Sequence, residues 1–173
     1  MLHQGLLPDV ITYSALISAC EKGALPQRAL QLLETMLHQG LLPDVITYNA
    51  LISAYEKGTF PQSALQLLET MRGQGLLPEV ITYNALISAC EKGTLPQRAL
   101  QLSETMRDQG LPPDVITCNA LISACEKDTL PQRAVQLKET MQHQGLLPDV
   151  IIYNALSSAC ETARYHREPC SSR

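Results

Sequence analysis

The stretch VITYNALISACEKGTLPQRALQLSETMRDQGLPPD, residues 80–114, is the pattern from which the whole chain is built. Residues 10–44 differ from it at only six positions. One proline of the pattern recurs at a constant spacing of 35 residues, as Pro8, Pro43, Pro78, Pro113 and Pro148. A fixed period of this length is typical of a repeat architecture and has to be recognised before any local pattern is interpreted. The sequence therefore predicts an array of similar structural repeats.

Each repeat is predicted to form two helices. The first, VITYNALISACEKG, follows an Asp that suits an N-cap and a Pro that keeps the preceding helix from continuing. The second, LPQRALQLSETM, has a proline in its first turn, where a missing N–H costs nothing. Glycines are expected to end the first helices, with Asp128 in that place in the fourth repeat, and threonines to cap the second helices: Gly23, Gly58 and Gly93, and Thr59, Thr94 and Thr129.

The first helix has two distinct faces. The apolar face, at helical spacing, consists of Tyr83, Leu86, Ile87 and Cys90. The opposite face consists of Ile81, Asn84, Ser88 and Lys92. One hairpin cannot bury its apolar face alone, whereas stacked hairpins can. The predicted fold is therefore all-α, a right-handed α-solenoid of stacked helical hairpins with a 35-residue repeat.

Several motifs within this period resemble those of one known family. Tyr-Asn-Ala-Leu-Ile, a Lys-Gly at the end of the first helix, Ala-Leu-Gln-Leu, Glu-x-Met and Gly-x-x-Pro-Asp are similar to the pentatricopeptide repeat family, P class, over residues 1 to about 161. The resemblance implies a solenoid that binds single-stranded RNA, with about one base recognised per repeat. It also implies a role in RNA processing or stability in a mitochondrion or chloroplast.

The resemblance assigns roles to three sets of residues. The base is recognised by the fifth and last residues of a repeat, which we call the recognition residues: Ser14 with Asp44, Asn49 with Glu79, Asn84 with Asp114, Asn119 with Asp149, and Asn154 in the fifth first helix. The base is sandwiched by the second residues, Ile11, Ile46, Ile81, Ile116 and Ile151. Phosphates are contacted by the lysines at the helix ends, Lys22, Lys57, Lys92 and Lys127.

The family's code also implies bases. Asn with Asp favours uracil and Ser with Asp favours guanine, whereas Asn49 with Glu79 departs from the common pairs. The order is then guanine, an unassigned pyrimidine, uracil and uracil. The residue chemistry agrees, because an amide both donates and accepts, a β-branched side chain is stiff, and a cation suits a phosphate.

Two other interpretations remain at this point. Asn and Asp could serve only as turn and cap residues, although this does not explain Ile, Asn and Lys on one face. The array could also be a protein-binding scaffold of the tetratricopeptide type. That repeat has 34 residues and a Trp landmark, whereas this chain has a 35-residue repeat and no Trp.

The repeat boundaries follow from the period. Residues 1–9 are identical to 36–44 and form the tail of a preceding repeat. Four complete repeats span 10–44, 45–79, 80–114 and 115–149, and residues 150–161 form the first helix of a truncated repeat. Residues 162–173 are predicted to be an irregular tail. We expect the chain to be part of a longer array whose uncapped ends could associate with one another.

Composition argues against other classes. The sequence has no apolar run long enough for a membrane span, and no C-x-x-C pair among its six cysteines. Cys20, Cys90, Cys125 and Cys160 share one place and are predicted to be packed thiols. No catalytic grouping is evident, so neither an enzyme nor a cofactor is predicted. The net charge of −4 argues against strong non-specific RNA binding.

Overall fold

The structure, a computed structural model, describes residues 8–128 and 130–165, with the side chains of residues 151 and 159–165 left out. This part of the chain is helical, without a strand. Its helices are α1 Val10–Lys22, α2 Pro26–His38, α3 Val45–Lys57, α4 Pro61–Gly73, α5 Val80–Lys92, α6 Pro96–Asp108, α7 Val115–Lys127, α8 Pro131–His143 and α9 Val150–Tyr165. The all-α fold and the hairpin repeat predicted from the sequence are confirmed. Within the described residues, no helix is both long and apolar enough to cross a membrane.

Aspartates begin the first helix of a repeat, as predicted. Oδ1 of Asp9 accepts from the N–H of Thr12 at 2.8 Å, and Asp44 accepts from Thr47 in the same way at 2.8 Å. This satisfies one N–H of a first turn that has no helical partner. The hydrogen bonds from the Thr12 hydroxyl and N–H lower the pKa of the Asp9 carboxyl. That part of the stability is therefore present at neutral pH and is lost as the pH falls through the lowered pKa.

The first helices α1 and α3 end at the predicted glycines, but these glycines are not left-handed. Gly23 and Gly58 lie at the C-cap with φ of −85° and −77°, and the left-handed residue is the next one. The left-handed residues are Ala24, Thr59 and Thr94, with φ of 50°, 61° and 54°. The N–H of the following residue donates to the carbonyl five residues earlier, as from Leu25 to Cys20 at 2.9 Å. This is the Schellman arrangement, displaced by one residue from the predicted position.

The glycine at the C-cap has a steric role in the second repeat. A Cβ added to Gly58 would lie 3.0 Å from both Phe60 and Pro26. The Phe60 ring packs edge-on against Tyr55 with centroids 6.3 Å apart, which is the apolar contact that accompanies a Schellman end. Asp128 occupies the equivalent C-cap with φ of −100°, so it needs no left-handed backbone.

The second helices begin without a side-chain cap. Their N-caps are Leu25, Phe60, Leu95 and Leu130, each followed by a proline at the first helical position. The prediction that Thr59 and Thr94 cap these helices is therefore wrong, because these threonines form the left-handed turn instead. Thr129 lies outside the described residues.

The last helix is longer than predicted. Helix α9 continues to Tyr165, whereas the irregular tail was predicted to begin at residue 162. Residues 162–165 contain no glycine or proline, and Ala and Arg favour helices, so nothing in them ends α9. Residues 166–173 of the predicted tail lie outside the described residues.

The structure divides into two compact units, Met1–Ala85 and Leu86–Arg173, with the division inside α5. In the first unit α1 packs on α2 and α3, and α3 packs on α4. In the second unit α7 packs on α8 and α9, and α6 packs on α7. Helices α1, α3 and α7 thus each contact their hairpin partner and the first helix of a neighbouring repeat, the arrangement that buries an apolar face in a repeat array. The predicted stripe of Tyr83, Leu86, Ile87 and Cys90 is fully buried.

We expect Thr94→Gly to stabilise the protein. Thr94 is β-branched and has a φ of 54°, where glycine pays no steric cost. The free energy of unfolding should rise by about 0.5–1 kcal/mol in urea denaturation. The matched control is Gly110→Ala, at φ of 76° with nothing within 4 Å of the added Cβ, which should lower it by about 1 kcal/mol. A lower stability for Thr94→Gly would show that this turn is not strained.

We expect Leu121→Ala to destabilise the protein strongly. Leu121 is fully buried in α7, so truncation removes apolar contacts and leaves a cavity. The expected loss is about 2–5 kcal/mol in thermal or urea unfolding. Leu147→Ala removes the same atoms from a side chain that is 85% exposed and should change stability little. Equal effects of the two substitutions would contradict the assignment of the buried face.

Candidate nucleic-acid interface

An exposed isoleucine occupies the second position of the first helix in repeats 10–44, 45–79, 80–114 and 115–149. In the first unit the side chains of Ile11, Ile46 and Ile81 are 77%, 66% and 65% exposed. In the second unit Ile116 is 62% exposed. The side chain of Ile151 lies outside the described residues. An apolar side chain left open at the same position of successive repeats is available to a flat ligand.

In repeat 10–44 the two recognition residues are joined by a residue of the next repeat. The hydroxyl of Thr47 lies 2.7 Å from Oδ1 of Asp44, to which it donates, and 2.7 Å from Oγ of Ser14. Ser14 Oγ also donates to the carbonyl of Val10 at 2.8 Å. Ser14 is therefore held by its own helix on one side and by Thr47 on the other.

Repeat 45–79 uses the equivalent threonine. The hydroxyl of Thr82 donates to Oδ1 of Asn49 at 2.6 Å, and it accepts from the backbone N–H of Glu79 at 3.0 Å. The Asn49 amide oxygen is thus fixed by a donor, and its Nδ2 group carries the remaining hydrogen-bonding capacity for a ligand.

Repeat 115–149 differs, because Ile152 stands where the other repeats have Thr. Here Nδ2 of Asn119 donates directly to Oδ2 of Asp149 at 3.1 Å. Oδ1 of Asp149 accepts from the N–H of Ile152 at 3.1 Å and so caps α9. Oδ1 of Asn119 is buried and has no hydrogen-bond partner among the described residues. This repeat therefore brings the two recognition residues into direct contact.

Three further recognition residues complete the set. Asn84, which was predicted to lie on the face opposite the apolar stripe, is only 8% exposed. Asp114 caps α7 and forms a reciprocal capping box with Thr117 at 2.8 and 3.1 Å. Asn154 is exposed on α9.

Sequence reasoning missed the threonines of this network. Thr47, Thr82 and Thr117 are fully buried, which is unusual for a hydroxyl without a structural task. The available signal was positional, because each lies three residues after the last residue of a repeat, where a hydroxyl can complete a capping box. What the position did not indicate is the contact with a side chain 33 residues earlier in the chain.

The predicted phosphate contacts lie next to carboxylates. Nζ of Lys57 pairs with Glu21 at 2.8 Å, and Nζ of Lys127 pairs with Glu91 at 2.5 Å. Each glutamate belongs to the preceding repeat, and Glu91 also accepts from the hydroxyl of Ser123 at 3.0 Å. Lysines at this position are therefore partly neutralised, which is consistent with the low net charge of the chain. Lys22 and Lys92 are also exposed.

The cysteines have the character of core residues. Burial raises the pKa of the Cys90 and Cys125 thiols to about 11, and it raises the pKa of Cys118. The thiol rather than the metal-binding thiolate is then the form present near neutral pH. Within the described residues, no group of three or more His, Cys, Asp or Glu side chains is arranged to hold a metal ion.

Helical hairpins repeated every 35 residues, with an isoleucine and a polar pair at constant positions, define an α-solenoid of the helical-repeat class. The chain matches the family model described as pentatricopeptide repeat domain at residues 1–58 and 31–92. A second model, described as PPR repeat family, matches residues 78–127 and 113–161. The chain therefore belongs to the pentatricopeptide repeat family.

Solved structures of this family are similar to the chain. A crystal structure of the pentatricopeptide repeat protein PPR10 in complex with an 18-nt psaJ RNA element has a TM-score of 0.79 and 29% identity. The match covers 99% of this chain and 25% of that one, so the chain spans about a quarter of its length. PPR10 from maize matches with a TM-score of 0.68 and 30% identity, over 93% of this chain and 23% of that one.

A more distant likeness concerns the fold alone. The PPR domain of Arabidopsis thaliana protein-only RNase P 1, in complex with tRNA, has a TM-score of 0.72 at 13% identity. That match covers 92% of this chain and 93% of the other. No curated protein sequence matches the chain.

Proposed function

We propose that the chain binds single-stranded RNA sequence-specifically, with one base recognised per repeat. The observation that carries the proposal is the pairing, at the start of α1, α3 and α7, of an exposed isoleucine with a hydrogen-bonded polar side chain. Ile46 with Asn49 is one such pair, with the isoleucine 66% exposed and the amide held by Thr82. An apolar side chain can cover the face of a base while an amide discriminates its edge.

The roles follow the residue types. The isoleucines at the second position sandwich the bases, the recognition residues contact the base edges, and the lysines at the helix ends contact phosphates. The 5′ end of the RNA lies toward the N-terminus. The order of bases is guanine, a pyrimidine that the Asn49 and Glu79 pair leaves open, uracil and uracil. The 29% identity to PPR10, described in complex with an RNA element, supports this proposal.

The proposed biological setting is RNA processing or stability in a mitochondrion or chloroplast, in which the repeats act by binding and not by catalysis. The buried cysteines and the polar groups of the network serve the packing of repeats in this proposal. The RNase P structure named above resembles the chain at 13% identity, so its activity is not transferred to it.

The first test is titration of the chain at fixed salt with two sets of short RNAs. The matched RNA contains guanine, a pyrimidine, uracil and uracil in that order, and the other RNA contains the same bases in a scrambled order. We expect the matched RNA to bind at least about fivefold more tightly, because mismatches leave polar groups unpaired. Asn84→Thr should move the preference at the third base from uracil toward guanine. Gln101→Thr, on the exposed face of α6, is the matched control and should leave the preference unchanged. Equal binding of matched and scrambled RNA would favour a protein-binding scaffold instead.

The second test concerns the ion pairs beside the lysines. Glu91→Gln removes the charge that neutralises Lys127, so we expect RNA of any sequence to bind several-fold more tightly. A plot of the logarithm of affinity against the logarithm of salt concentration should become steeper, by the amount expected for up to about one additional phosphate contact. Glu139→Gln makes the same change in net charge on the second helix α8 and is the control. If both variants gain equally, Lys127 does not contact a phosphate.

A further inference from the structure

The two ends of an asparagine amide have nearly the same shape and opposite hydrogen-bonding chemistry. Oδ1 accepts two hydrogen bonds, and Nδ2 donates two. Whichever end the protein engages, the other end carries the capacity left for a ligand. The orientation of the Asn amide therefore determines whether a repeat selects a base that accepts or a base that donates at that point.

Thr82 determines this orientation for Asn49. The Thr82 hydroxyl oxygen accepts a hydrogen bond from the N–H of Glu79 at 3.0 Å. The same hydroxyl donates its single proton to Asn49 Oδ1 at 2.6 Å. An inverted Asn49 would place Nδ2 against that hydroxyl, and the Thr82 proton would lose its acceptor. Thr82 belongs to the next repeat, where it is the third residue.

Ile152 removes this control from Asn119. A methyl group cannot donate, and Nδ2 of Asn119 donates to Asp149 at 3.1 Å. Oδ1 of Asn119 then remains buried without a partner among the described residues. A buried acceptor without a donor is costly, and a donor on a bound base would remove that cost. The amides of Asn49 and Asn119 thus present opposite chemistry to a ligand.

We propose that the third residue of each repeat is a positioning residue for base selection by the preceding repeat. Thr82 makes Asn49 a donor toward the base, so repeat 45–79 selects a base edge with an acceptor. Ile152 leaves Asn119 an acceptor, so repeat 115–149 selects a base edge with a donor. The equivalent Thr47 lies 2.7 Å from Ser14 Oγ, but its proton is donated to Asp44. This inference rests on the proposed function and adds a third residue to the pair that selects each base.

Among the residues that form these hydrogen bonds, one besides the third residue differs between the two repeats, because Glu79 stands where the other has Asp149. Ile152→Thr separates the two explanations, since it restores the hydroxyl and leaves Asp149 in place. If the third residue determines the orientation, the Asn119 amide inverts in this variant. If the acidic residue determines it, the Asn119 amide stays as it is.

The first experiment is free of RNA and uses the full chain. In a ¹⁵N spectrum, the side-chain NH₂ resonances of Asn49 should move in Thr82→Val and return in Thr82→Ser, which restores the hydroxyl. Those of Asn119 should move in Ile152→Thr. Thr12→Val is the matched control, because Thr12 bonds to the cap Asp9 at 2.7 Å and, among the described residues, to no recognition residue. Unchanged Asn49 and Asn119 resonances would overturn the inference.

The second experiment selects RNAs from a randomised pool with the same variants. We expect Thr82→Val to reduce the discrimination among bases at one position by about fivefold, and Thr82→Ser to restore it. Ile152→Thr should change which base is preferred at a different single position. Thr12→Val should alter neither preference. A uniform loss of affinity with unchanged preferences would mean that the threonines act only in folding and would overturn the inference alone. Failure of the unaltered chain to enrich any RNA would overturn the proposed function and this inference with it.

Discussion

The carboxylate at the end of each repeat is the group on which the rest of the structure depends. Asp44 accepts the first-turn N–H of Thr47 at 2.8 Å and thereby begins the next repeat's first helix. The same carboxylate is a recognition residue, hydrogen-bonded through Thr47 to Ser14. One side chain thus connects the folding of one repeat to the proposed ligand-facing group of the repeat before it. Because one carboxylate serves both as a helix cap and as part of a polar pair, the polar pairs recur at the beginnings of the first helices.

Contacts between consecutive repeats also neutralise part of the positive charge of the lysines at the helix ends. Lys57 and Lys127 each pair with a glutamate of the preceding repeat, so a phosphate would have to compete with a carboxylate that is already in place. Such pairs contribute little stability when exposed, but they reduce the attraction of the surface for RNA of any sequence. With the charges of Lys57 and Lys127 offset, the proposed recognition residues would account for a larger share of any binding preference. A net charge of −4 is compatible with selective binding under these conditions.

The differences among otherwise similar repeats show which contacts matter. Tyr55 and Phe60 replace Cys and Leu in the same repeat, and the two rings pack against each other at the helix end. Ile152 replaces Thr, and the amide of Asn119 adopts a partner that Asn49 lacks. In both cases a substitution is understood only together with the residue it contacts. Near-identical repeats therefore act as internal comparisons, in which a changed contact is traced to a few substitutions.

The sequence by itself determined the period, the two helices of each repeat, the aspartate caps and the buried stripe of Tyr83, Leu86, Ile87 and Cys90. These features depend on local hydrogen bonding and on helical spacing, which a sequence displays directly. The sequence did not show that the left-handed residue at the ends of the first helices follows the glycine by one position. That position depends on which carbonyl accepts the last hydrogen bond of the helix end. Only the tertiary structure decided the contacts between residues about 33–36 positions apart, such as Thr82 with Asn49 and Lys57 with Glu21. Those contacts depend on how closely the first helices of consecutive repeats pack, and that distance is a property of the assembled core.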